Sequence, residues 1–109
     1  MNAGVKILEQ ISAESKQLAE ECIKGTVNPD KLQGGTFSVI NLGPFGIESF
    51  TPVINAPQVA ILGICAATEK PVSIDGKISL VPHIGLSMTA DYQVLDGAQQ
   101  DFCRSFAAV

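Results

Sequence analysis

Residues 59–65 read Val-Ala-Ile-Leu-Gly-Ile-Cys, an apolar run with no charge and no break. A run this short suits a strand buried on both faces. A short buried helix carries the same pattern, and periodicity alone does not separate the two. Pro57-Gln58 leads into it. Downstream, Val72-Ser73-Ile74 and Ile78-Ser79-Leu80-Val81 flank Asp75-Gly76, a pair suited to the positive backbone angles of a tight hairpin turn. Residues 83–90 make a further strand, and residues 36–42, rich in Val, Ile and Phe, an earlier one. Between the first strand and the apolar run, Gly43-Pro44-Phe45-Gly46 is a turn by composition.

Helical patterning lies outside this block. Over residues 3–24, Leu8, Ile11, Leu18 and Cys22 recur at helical spacings, and Ile7 and Ile23 widen the stripe. Glu20 and Lys24 stand in the favourable order for a pair four apart, and Gly25 is the natural stop. Asn28 before Pro29 predicts an N-cap and one short helical turn. After Asp96-Gly97 a last amphipathic helix carries Ala98, Phe102 and Phe106 on one stripe, with Asp96 as its N-cap and Gln99 as a capping partner. The order helix, strands, helix predicts a two-layer α/β fold, a mixed β-sheet covered by helices, with residues 1–109 as one domain.

Charge and composition exclude several functions. Lys and Arg total 7 against 11 Asp and Glu, a net charge of −4, which is the wrong sign for a nucleic-acid face. No apolar stretch approaches the roughly 18 residues of a membrane span. The first residues alternate apolar and charged side chains and lack the apolar block of a signal peptide, so the expected location is cytoplasmic. Cys22, Cys65 and Cys103 are odd in number and widely spaced, which argues against a disulfide framework or a zinc site and for buried free thiols. His83 is the single histidine, so no multi-histidine metal site exists. No phosphate loop is present, because Gly43-Pro44-Phe45-Gly46 lacks the Gly-Lys-Ser/Thr ending.

Three segments carry a family resemblance across essentially the whole chain. Gly34-Gly35-Thr36-Phe37-Ser38-Val39-Ile40-Asn41-Leu42-Gly43 resembles a Gly-Gly-Thr-Phe-x-x-Ser-Asn-Leu-Gly signature. Phe50-Thr51-Pro52-Val53-Ile54-Asn55-Ala56-Pro57-Gln58-Val59-Ala60-Ile61-Leu62 resembles Phe-Thr-x-Ile-Ile-Asn-x-Pro-Gln-x-Ala-Ile-Leu. Asp91-Tyr92-Gln93-Val94-Leu95-Asp96-Gly97-Ala98 stands where Asp-His-Arg-x-x-Asp-Gly-Ala is usual. Together they resemble the 2-oxo acid dehydrogenase acyltransferases, the E2 core enzymes, over roughly the C-terminal half of their catalytic domain. The resemblance implies part of a chloramphenicol acetyltransferase-like fold. It also implies assembly as a homotrimer, or pairing with a separate acyltransferase-like chain.

That family moves an acyl group between coenzyme A and a lipoyl thiol. The resemblance assigns a histidine as general base and a Ser or Thr hydroxyl from a neighbouring subunit as oxyanion donor. The family site positions here are Tyr92, Asp96, Ile40 and Asn41. Tyr92 stands at the histidine position, Ile40 at the hydroxyl position, and Gln93 replaces the arginine. A phenol with an ordinary pKa of about 10 would have to fall by about 3 pH units, about 4 kcal/mol, to act as a base near pH 7. No cationic residue lies beside it in sequence. His83 is about 30 Å from Tyr92 at strand rise, too far to replace the base within one subunit. Tyr92 is then expected to be a packed aromatic with a hydrogen-bonded hydroxyl.

The expected function is therefore that of a catalytically impaired relative acting as an assembly or scaffold module. Its buried surface would come from residues 59–65 and 84–88. Two alternatives remain open at this point. One is an acyltransferase whose missing half and base come from a partner chain. The other is a protein that binds coenzyme A or an acyl ligand without turnover. No metal is expected.

Overall fold

The computed structural model describes residues 2–94, 101 and 104–105. Two compact units divide at Gly35 and Thr36.

In the first unit, a 3-10 turn at Ala3–Val5 precedes α1, Leu8–Ile23. The sequence predicted one helix from residue 3. The helix begins later because Ile7 is extended, with ψ 162°, and its N–H is taken by the Gln10 side chain at 3.1 Å. The stop at Gly25 is as read from the sequence. Gly25 adopts φ 68°, its N–H donates to the Cys22 carbonyl, and that of Thr26 donates to the Glu21 carbonyl. This paired closure satisfies two of the last helical carbonyls. Asn28 caps the short turn Pro29–Leu32 by accepting from the Asp30 N–H at 3.0 Å.

Ion pairs tie both flanking turns to α1, Lys6 to Glu14 and Lys31 to Glu21. Hydrogen bonds from Gln17 and Lys31 hold the Glu21 carboxyl below its ordinary pKa, against the opposing effect of desolvation. A depressed folded value means that Glu21 contributes its stabilisation above its unfolded pKa of about 4.5 and loses it as pH falls through the folded value. Circular dichroism melts at pH 7 and pH 3 should differ less in Glu21→Gln than in the wild-type chain.

The second unit holds a three-stranded sheet in the order β1 (Ser38–Asn41), β2 (Ala60–Ile74), β3 (Lys77–Ala90). β1 runs parallel to β2, and β2 antiparallel to β3. The apolar run is thus a strand, the first of the two forms its pattern left open. It also continues unbroken into the hairpin arm, so the separate strands read in the sequence merge into two long ones. Asp75 and Gly76 turn the hairpin with φ 51° and 76°, the geometry a two-residue turn demands. A β-bulge at Ile64/Ala67 interrupts the β2–β3 register.

The run needs both faces covered, and near its start it has that. On one face, residues 47–58 cross the sheet. The Phe50 ring lies over Gly63, the Thr89 hydroxyl donates to the Pro52 carbonyl at 2.6 Å, and Ser38 donates to Gln58 at 2.6 Å. Ala60, Ile61, Leu62 and Cys65 form the buried apolar core. A Cβ on Gly63 would come within 2.5 Å of the Phe50 ring. Gly63→Ala is therefore expected to cost about 1–3 kcal/mol by overpacking, read as a lower urea midpoint at unchanged slope.

β3 alternates in side-chain direction. Ile78, Leu80, Pro82, Ile84, Leu86, Met88 and Ala90 share one face, while Lys77, Ser79, Val81, His83, Gly85, Ser87 and Thr89 lie on the other. The apolar row is exposed as far as Leu86 and half-buried at Met88 and Ala90. The surface expected from residues 59–65 is already largely buried inside the chain, and the exposed apolar surface lies further out along the arm. Cys65 is buried as expected, whereas Cys22 is exposed near the end of α1, because the half-buried side of the helix runs through Ile11, Glu14, Leu18 and Glu21 rather than through the predicted stripe of Leu8, Ile11, Leu18 and Cys22. Cys103 and the residues of the last predicted stripe, Ala98, Phe102 and Phe106, lie outside the described residues.

Candidate functional site

Position 40 sits mid-strand on β1, where Ile40 pairs with Gly63 of β2, and Gly63 pairs with Ser87 of β3. Its side chain lies on the face crossed by residues 47–58 and supplies no donor. Asn41 points the other way, because successive strand residues alternate. Its carboxamide oxygen accepts from the Gly43 N–H at 3.0 Å and shapes the turn that ends β1. In this chain Asn41 is a turn former.

Tyr92 lies just past the end of β3. The turn that presents it is built by Asp91. The Asp91 N–H donates to the Val59 carbonyl at 2.8 Å and extends the ladder by one bond, and its carbonyl accepts from the Val94 N–H at 3.1 Å. Its carboxylate accepts from the Gln93 N–H at 3.0 Å. Sequence reasoning counted Asp91 only as a surviving family residue. The signal for its structural work was available, since an Asp at the start of a bend commonly accepts from the N–H two residues on. Tyr92 is 74% exposed, not the packed aromatic expected. The turn closed by Asp91 carries Tyr92 beyond the last paired row, Ala60 with Ala90. Asp96 lies outside the described residues.

Ile40 and Tyr92 do not converge within one chain. Tyr92 is five positions beyond Ser87, the residue in the row of Ile40, so the two stand about 17 Å apart along the strands and two strands across. Within one chain the two positions do not form a single site. His83 offers no help. It is exposed mid-strand on the polar face of β3, with Nδ1 2.8 Å from the Val81 carbonyl.

A cleft of about 310 Å³ lies elsewhere, in the first unit, lined by Lys6, Glu14, Gln17, Leu18 and Lys31. Both of its lysines are engaged, Lys6 by Glu14 and Lys31 by Glu21. It is a structural clasp around α1. Among the described residues no group of three or more His, Cys, Asp or Glu side chains is placed to hold a metal.

The 2-oxoacid dehydrogenases acyltransferase (catalytic domain) family model matches residues 1–109. The chain belongs to this acyltransferase family. Among its relatives is the dihydrolipoyllysine-residue acetyltransferase component of the pyruvate dehydrogenase complex of Cupriavidus necator, 44% identical over 100 residues, 90% of this chain and 18% of that protein. The acyltransferase fold is matched by the dihydrolipoamide acetyltransferase of Azotobacter vinelandii. That match has a TM-score of 0.87 and 38% identity over 96% of this chain and 44% of that one. The Azotobacter structure was used to investigate the role of a serine, a histidine and an asparagine in its catalytic mechanism. The cubic core of a pyruvate dehydrogenase multienzyme complex matches with a TM-score of 0.82 and 39% identity, over 92% of this chain and 41% of that one. This acyltransferase chain therefore spans less than half of the solved cores it matches, and a smaller share of the Cupriavidus protein.

Proposed function

We propose that this chain is a catalytically impaired acyltransferase relative that serves as an assembly module in the cytoplasm. One observation carries the reading. The serine, histidine and asparagine studied in the Azotobacter enzyme are spaced as Ile40, Tyr92 and Asp96 are spaced here. At the first position an aliphatic side chain has no proton to donate to a developing oxyanion, and at the second a phenol has no neighbouring cation in sequence to make it a base. Neither residue fits the proton transfer and oxyanion stabilisation that acyl transfer between coenzyme A and a lipoyl thiol requires.

Self-association, as a trimer of the family type, is the assembly proposed. The exposed apolar side chains of the sheet unit support it, as does the membership of one matched structure in a cubic core.

The test is acetyl transfer from acetyl-coenzyme A to dihydrolipoamide by the folded chain and by Tyr92→Phe. The expected result is background rate from both. Turnover that Tyr92→Phe abolishes would overturn the reading and make the phenol a catalytic group. Tight binding of coenzyme A without turnover would favour a ligand-binding protein instead.

A further inference from the structure

We draw no further inference here: the strongest candidate, the exposed apolar row at the outer end of the β2–β3 hairpin formed by Ile78, Leu80 and Ile84, carries none, because nothing in the structure shows what covers it.

Discussion

A full-length acyltransferase relative given this chain's residue types at the two diverged positions, tyrosine for the catalytic histidine and isoleucine for the serine, is expected to lose about 10²–10⁴ in kcat from the first change alone. Isoleucine alone is expected to cost about 10²–10³, the usual loss when one oxyanion donor is removed. The double variant should fall little below the tyrosine single, because residues that act on one transition state are not additive. The physical reason lies in the two functional groups. A phenol with an ordinary pKa near 10 is almost fully protonated at pH 7, so it does not take the thiol's proton. An isoleucine leaves the developing negative oxygen facing hydrocarbon. Steady-state kinetics of acetyl transfer with the three variants measures this. A tyrosine variant within about tenfold of its parent would remove the argument that this chain is impaired.

The second large effect is on stability. Leu62→Ala is expected to cost about 2–4 kcal/mol, seen as a lower urea midpoint and a lower Tm. Leu62 is one of only four buried apolar residues among those described, and it pairs with Val39 on one side and Met88 on the other. Its removal leaves a void where all three strands meet. Against a typical total stability of about 5–15 kcal/mol, such a loss is a large fraction for so small a core. An exposed site on the same strand gives the contrast. Ser73→Ala, near the hairpin tip, should change the midpoint by no more than about 0.5 kcal/mol. Equal losses at both positions would mean that the core is not where the buried residues lie.

Much of the local structure was legible in the residues. Gly25, Asn28 with Pro29, and Asp75-Gly76 each impose a backbone geometry through their own chemistry, and each does so where it was read. The start of α1 was not legible from its apolar stripe. It depends on a hydrogen bond from Ile7 to the Gln10 side chain that competes with another helical turn. The exposure of Tyr92 was also hidden, because it follows from the direction of the turn that Asp91 closes.

By itself the sequence determined that residues 59–65 form a buried segment, that a hairpin turns at Asp75-Gly76, and that the base and hydroxyl positions of the family signature are filled by Tyr92 and Ile40. These are matters of side-chain chemistry and short-range geometry, which a chain carries wherever it folds. The tertiary structure alone decided that the run and the hairpin share two continuous strands. It set the distance between Ile40 and Tyr92 within one chain, a separation the resemblance had implied, and it alone left the outer row of β3 exposed. Those outcomes depend on strand register, and register is set by pairings between residues far apart in sequence, where one step of slip exchanges the buried face for the exposed one.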